Sequence, residues 1–546
     1  MMKKGWILLF AGFIVMVLAL SMAQAQREKK PVKKPKAVTV KGVDEGICFG
    51  CHPEVQKLVG SGKHVKGVNC ALCHSETSAH LADSAKKPST RLDPENCGSC
   101  HKEQWQTLME VNLKSRAKLE KASTTSRSPT FDKLMVPHGF TKEHDEPRSH
   151  AFMLIDHMIV DRGYGGRFQL KDWTYVDKKG KLWDIVADTG KELPQTAKAA
   201  NTVCLTCKTS DHVLQWPYMG DAHPATPLKR APNPAAIEMA ANHLQNPMGC
   251  IHCHDPHAAK PRVIRDALIE AVVDRGEGTY PYDQKKSKEI SMEKIVFKRG
   301  GQEFRAIGIL NQPDSNLLCA QCHVEYNCNP GIDTKTGGTV GMDDRRANYY
   351  SWVNVFDLQQ RYESVNFKDF RHAITGAALT KIQHPEVETF WGSKHERAGV
   401  ECKDCHMPRV KKKGKEFTFH GQRSARYMLK DTCIRCHPWT AEQAEYQVDA
   451  VQNYVRGKMR KAEFWLGELI NAFIRAKDVG ISEDVLKEAR KEHDRAHILW
   501  EWWTAENSDG FHNPEQARQS LAESINASQK GIEILNKAIS QKTMGK

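Results

Sequence analysis

The C-terminal part of the chain carries its clearest alternation of apolar and polar positions. Phe464, Trp465, Leu466, Leu469, Ile470, Phe473 and Ile474 recur at helical spacing. Thr440-Ala-Glu-Gln443 has the form of a capping box upstream, and Gly480 supplies a stop. Ser482 starts a further helix with Glu483 and Asp484 in its first turn and Trp500, Trp502 and Trp503 along its length. Asn513-Pro514 opens the last helix. The aromatic stripe predicts helix packing, with a subunit interface as the secondary reading. Upstream the pattern is broken and short. Lys171 to Asp188 alternates and predicts a small hairpin.

One apolar run is unbroken, Trp6 to Leu20. Lys3 and Lys4 precede it and Ala23-Gln24-Ala25 follows, which predicts an export signal over 1–25, cleaved before Gln26. The alternative is an uncleaved membrane anchor. Either reading puts the folded part outside the cytoplasm, in the periplasm. Residues 26–44 are a Lys/Pro linker.

Cysteine changes the picture most. Of 17 Cys, 16 fall in eight Cys-x-x-Cys pairs, leaving only Cys328. Seven pairs are followed by histidine: Cys48/Cys51-His52, Cys70/Cys73-His74, Cys97/Cys100-His101, Cys250/Cys253-His254, Cys319/Cys322-His323, Cys402/Cys405-His406 and Cys433/Cys436-His437. With 25 His in 546 residues, that placement is not chance, and a zinc or dithiol reading is weak. Cys-x-x-Cys-His is the attachment signature of c-type haem: the thiols form thioethers and the histidine binds iron. Eight haems follow if every pair loads. Each porphyrin is a large apolar surface, so a 40% hydrophobic chain gains a core made largely of cofactor. The predicted fold is mainly α, a multihaem cytochrome c with a haem-packed core, few short strands and long C-terminal helices. Its divisions are a trihaem domain over 45–135, a catalytic pentahaem domain over 136–440 and a long-helix region over 441–546.

The formal charge of +14 is not read as nucleic-acid binding, because haem propionates offset it. Lys411-Lys412-Lys413-Gly414-Lys415 reads as a solvated loop.

The eighth pair, Cys204-Leu-Thr-Cys207, ends in Lys208. Subtracting seven proximal ligands from 25 His leaves enough to close the other irons with a second histidine. A six-coordinate haem passes electrons but holds no substrate. A neutral lysine amine opposite an open position would make a substrate-binding iron.

The motifs around Lys208 carry a close resemblance. Cys204-Leu-Thr-Cys207-Lys208, Cys319-Ala-Gln-Cys322-His323-Val-Glu325-Tyr326, Lys381-Ile-Gln383-His384-Pro385-Glu386 and Cys402-Lys-Asp-Cys405-His406-Met407-Pro408 resemble motifs of the pentahaem cytochrome c nitrite reductases, as does Pro147-Arg148-Ser149-His150-Ala151-Phe152. The three extra N-terminal motifs and Tyr326-Asn327-Cys328 resemble the octahaem nitrite reductases. The likeness runs from about residue 147 to the C-terminus.

That resemblance implies six-electron reduction of nitrite to ammonia at the Lys208 haem, with hydroxylamine and sulfite as further substrates. Arg162 would hold the nitrite oxygens, His384 would donate a proton, and Tyr326 would be a further donor, thioether-linked to Cys328. Arg148 and Arg167 compete with Arg162 for its role. Glu325, Gln383 and the carbonyls of Tyr326 and Lys381 would hold calcium. His150, His395, His420 and His512 would be distal haem ligands. No such match covers the first three haems. There His64 is the leading residue, ahead of His80, His138, His144, His223 and His257. The implied partners are a periplasmic or membrane quinol-linked electron donor and further copies of the chain, as dimer or hexamer, with no nucleic acid. The alternatives are an electron conduit without substrate chemistry and a hydroxylamine oxidase, against which Lys208 speaks.

Overall fold

Three helices fill the C-terminal region: α1 over Ala441–Val479, α2 over Glu483–Ala505 and α3 over Pro514–Met544. The computed structural model describes residues 43–66, 68–110, 130–137, 149–153, 206–214, 246–283, 285, 292–299, 302–327, 330–341 and 344–544. The predicted export signal, the stretch 171–188 and Arg148, Arg162, Arg167, Cys204, Cys328, His138, His144 and His223 lie outside them. Among the described residues no helix is long and apolar enough to cross a membrane.

The start of α1 closes both arms of its capping box. Thr440 Oγ1 accepts from Gln443 N at 3.2 Å, and Gln443 Oε1 accepts from Thr440 N at 2.9 Å. Its end turns through Gly480 at φ 74°, where a side chain would be strained. Ser482 occupies the start of α2 but its hydroxyl makes no capping bond; its carbonyl accepts from Leu486 N instead.

Leu466, Leu469, Ile470 and Phe473 are buried in a shared core with Leu486, Leu499, Trp500, Trp502, Trp503, Leu521 and Leu535. Burying each such side chain stabilises by about 1.5–3 kcal/mol. Phe464 and Ile474 belong to the predicted stripe yet are 59% and 40% exposed. At about 100° per residue, Phe464 points roughly opposite to Leu466, so the inward stripe is narrower than the apolar run. Gly531 on α3 lets Leu469 approach: a Cβ there would lie 2.7 Å from Leu469 Cδ1.

The region from 43 to 437 is built differently, from short helices, single turns and small sheets. Its largest sheet runs in the order β1-β2-β4-β3, with β1 His254–Asp255, β2 Lys260–Val263, β3 Met292–Arg299 and β4 Gln302–Leu310, all antiparallel. The basic segment predicted as a loop is a hairpin, Arg409–Lys412 against Lys415–Thr418. Lys413 and Gly414 at φ 50° and 79° make its solvated two-residue turn. Val40 to Lys546 form one compact unit. Within it, the first segment meets the middle of the chain through the Lys57–Glu293 ion pair at 2.7 Å.

Candidate functional site

Each Cys-x-x-Cys-His motif folds as one tight turn. His52, His101, His323 and His437 donate their backbone N–H to the carbonyls of Cys48, Cys97, Cys319 and Cys433. Cys73, Cys100, Cys253 and Cys436 donate to Cys70, Cys97, Cys250 and Cys433. Both thiols and the imidazole of each motif therefore come from a single turn. Among the described residues every cysteine is free of disulfide bonding.

Three of these thiols lie at the surface of the polypeptide. Cys51, Cys100 and Cys436 are exposed, and His52 and His101 are exposed with them. Each of the three is the second cysteine of its motif. In the first and third motifs it is the first cysteine that turns inward, Cys48 toward Cys70 and Cys97 toward Cys250. The second thiol, three residues on in the same turn, is left facing solvent.

Histidines from elsewhere face these turns at a nearly constant spacing. Ring centroids are 6.1 Å apart for His52–His80, 6.2 Å for His64–His101, 6.3 Å for His74–His257, 6.3 Å for His150–His323, 6.2 Å for His406–His512 and 6.2 Å for His395–His437. His254 and His420 also lie within electrostatic reach of each other. Two metal–imidazole bonds of about 2 Å, plus about 1.1 Å from nitrogen to each ring centre, sum to about 6.2 Å. The donor set thus fits one iron between two imidazoles at six of the seven histidine motifs.

Several of these rings are oriented through Nδ1, which leaves Nε2 for metal. His64 Nδ1 donates to Pro256 O at 2.9 Å, His80 to Lys86 O at 2.8 Å, His406 to Arg423 O at 3.0 Å and His420 to Thr418 O at 2.8 Å. His64 therefore faces the third motif, while His80 and His257 face the first and second.

The thiols show which motifs are neighbours. Cys48 reaches Cys70, Cys97 reaches Cys250, Cys319 reaches Cys402 and Cys322 reaches Cys207, each within hydrogen-bonding range. Weaker electrostatic contacts join Cys73 to Cys97, Cys253 to Cys319 and Cys405 to Cys433. The motifs form one file from Cys48 to Cys433, and the lysine motif branches from it at Cys322.

The turn carrying Lys208 is fixed by the segment leading to the next motif. Ser210 N donates to Pro247 O at 3.1 Å. Asp211 accepts from Asn246 N and Nδ2, both at 2.7 Å. Lys208 itself is half-buried.

Tyr326 and His384 meet through a shared carboxylate. Tyr326 bridges to Tyr350, and Asn327 N donates to Tyr349 O at 3.1 Å. Glu325, next to Tyr326, accepts from Gln383 N at 2.7 Å and from the Tyr362 hydroxyl at 2.8 Å. The Tyr326 and His384 rings are 6.5 Å apart. Burial pushes the His384 imidazole down to about 3; the positive charges of His323, Lys208 and Lys381 add to it against the opposing pull of Glu386. His384 is therefore neutral at rest and a strong acid once protonated. It is also 6.4 Å from His323, so spacing alone leaves it a rival of His150 there. The nearness of Lys208 and of the Tyr326 ring favours the substrate side for His384.

Arg265 was not found from sequence. It is 2% exposed, its Nη1 lies 2.9 Å from Cys207 Sγ, and its guanidinium lies over the Tyr326 and Tyr350 rings at 5.6 and 5.3 Å. The usable signal was a lone arginine inside the apolar run Val263 to Ile269. Asp369 and Glu388 were also missed; both are buried beside Glu325.

Glu325, Tyr326, Lys381 and Gln383, the residues expected to hold calcium, are all buried, and Gln383 N donates to Glu325 Oε2 at 2.7 Å. Burial, with Asp369 adding, pushes the Glu325 carboxyl well up against the opposing pull of Gln383 N–H, the Tyr362 hydroxyl and Lys381. Gln383 Nε2 has no hydrogen-bond partner. Among the described residues no cluster of three His, Cys, Asp or Glu forms a metal site, so a cation here would depend on carbonyl and amide oxygens.

A mainly helical chain whose turns present paired thiols and facing imidazoles is a multihaem c-type cytochrome. It belongs to the cytochrome c552 family, whose profile matches residues 105–546. A cytochrome c-552 of Bacteroides fragilis is 25% identical over 449 residues, covering 80% of this chain and 75% of the relative. The cytochrome c nitrite reductase subunit NrfA of Nitratidesulfovibrio vulgaris is 26% identical over 446 residues, covering 75% and 69%. The solved structure of the nitrite reductase NrfA from Desulfovibrio desulfuricans shares the fold, with TM-score 0.56 and 20% identity over 82% of this chain and 87% of that one.

Proposed function

We propose that this protein reduces nitrite to ammonia at the haem carried by the Cys204/Cys207-Lys208 motif. The observation that carries this is the position of Arg265, which touches Cys207 and lies over Tyr326, so the lysine turn and the Tyr326–His384 pair share one pocket. Relatives described as nitrite reductases support the same reading.

Cys204, Cys207 and Lys208 would hold the haem, which would supply a substrate-binding iron and the six-electron redox chemistry. The chain's own groups do the rest. Neutral His384 offers an N–H to a substrate oxygen and delivers protons as N–O bonds break. The Tyr326 hydroxyl is a second donor, and Arg265 keeps its ring in place. Arg162 would fork onto the nitrite oxygens, and a Cys328 thioether would acidify Tyr326. Glu325, fixing both Tyr326 and the backbone beside His384, would hold calcium together with Gln383, Lys381 and the Tyr326 carbonyl.

The seven histidine haems would be six-coordinate carriers. Their second ligands would be His80, His257, His64, His420, His150, His512 and His395, in motif order. Electrons from a quinol-linked donor would enter the exported protein along this file, and the solvent-facing Cys51 and Cys100 turns are where a donor could approach. Hydroxylamine and sulfite would react at the same iron as nitrite.

Purified protein with reduced viologen should consume nitrite and release ammonium. Nitrite left unconsumed, or nitric oxide as end product, would reject the assignment. The file continues past the branch to Cys433, which favours a through-conductor as the second reading. Absence of any high-spin haem signal would select it.

A further inference from the structure

The facing imidazoles divide by what meets their Nδ1 atoms. His64, His80, His406 and His420 meet backbone carbonyls, and His74 meets the Thr90 hydroxyl at 3.1 Å. His323 and His512 face carboxylates, His323 through a hydrogen bond and His512 at ion-pair distance without one. Glu386 Oε2 lies 3.2 Å from His323 Nδ1, and Glu506 Oε1 lies 2.6 Å from His512 Nδ1. Asp255 is not a third case: it stands 3.7 Å from His257 Nδ1 and is committed to Arg262 at 2.8 Å.

Both carboxylates are buried and fixed by their other oxygen. Glu386 Oε1 accepts from Asn507 N at 3.1 Å, and Glu506 Oε2 accepts from Gly510 N at 3.1 Å. Asn507 follows Glu506, so one corner of the chain positions both. The two motifs served are neighbours through Cys319 and Cys402. The first of them also touches the lysine motif through Cys322 and Cys207.

We infer that Glu386 and Glu506 are positioning residues that hold the Cys319 and Cys402 haems at the lowest reduction potentials of the seven histidine-ligated haems. A carboxylate against Nδ1 draws its proton and makes the imidazole a stronger donor to iron. The buried negative charge also favours ferric over ferrous iron, in a medium that screens it weakly. Carbonyls and hydroxyls do this less. The most reducing carriers then stand beside the substrate-binding haem. This rests on reading His323 and His512 as iron ligands.

The test is a spectroelectrochemical titration of the purified holoprotein that follows each low-spin signal, with Glu386→Gln and Glu506→Gln compared separately. Each variant should weaken the ferric preference of one haem about tenfold, a rise of about 59 mV for a one-electron couple, and leave the others in place. Two haems, one per variant, should move. If a fully loaded variant shows no shift, or a shift spread over many haems, the inference is overturned. Glu506→Gln decides alone should Glu386→Gln not assemble. His323→Ala separates the ligand reading: an unchanged count of low-spin haems would reject it, and the inference with it.

Discussion

The region from 441 to 544 and the region from 43 to 437 hold themselves together by different means. The first buries leucine, isoleucine, phenylalanine and tryptophan from three long helices in one core, to which the second adds Leu134, Tyr349, Leu358, Tyr362 and Phe370. The second is made of short turns and two- to nine-residue strands, and its recurring contact is a pair of imidazoles about one metal apart. The contrast teaches where information resides. A helical core is specified by neighbours three and four positions away, while an imidazole pair such as His74 and His257 joins residues more than a hundred positions apart.

Substitutions should separate the two regimes. The largest effect is expected from His384→Ala, which should lower nitrite turnover about 10²–10⁴-fold, the usual worth of a positioned proton donor, with little change in thermal unfolding. All low-spin haem signals should persist. If one became high-spin, His384 would be an iron ligand and His150 would not. Next is Leu469→Ala in the helical core, expected to cost about 2–5 kcal/mol while leaving haem spectra alone. Scanning calorimetry checks the first outcome and optical spectra the second. Lys208→His should then reduce turnover by about 10–100-fold with eight haems still attached, measured by nitrite assay and mass spectrometry. Unchanged turnover would mean the lysine is not a special ligand. Smallest is Thr440→Ala, which removes one arm of the α1 capping box and should cost about 1 kcal/mol, read by denaturant unfolding. A loss of haem signal in Thr440→Ala would show that the two regions are coupled.

The same contrast explains what could be read from the sequence. The three long helices, the capping box, the Gly480 stop and the thiol turns are local, and residue spacing fixed them to within a residue or two. Tyr326 and His384 were found by motif, and the structure brings their rings together. The histidine partnerships were not legible. His64 lies six positions before Cys70 in the chain but faces His101 of the next motif. Nothing along a sequence records that choice, because it depends on how loops cross. The hairpin of β3 and β4 had a local signal, Gly300-Gly301 between alternating residues, and it was passed over. Phe464 and Ile474 show the opposite error: apolar character was read as burial, when helix angle decides the inward face.

The partner of His406 is His512, which follows it by more than a hundred positions and stands just before α3. His420 serves His254 in the same late fashion. A chain made from its N-terminus therefore presents these haem turns before their second imidazoles exist. Newly attached irons near the middle of the chain would wait half-closed, open to stray ligands and oxygen. Only the arrival of the final helix seals the Cys402 site, so the last segment to emerge acts as the lock on biogenesis. A chain truncated before His512 should betray itself by colour before it does by loss of mass.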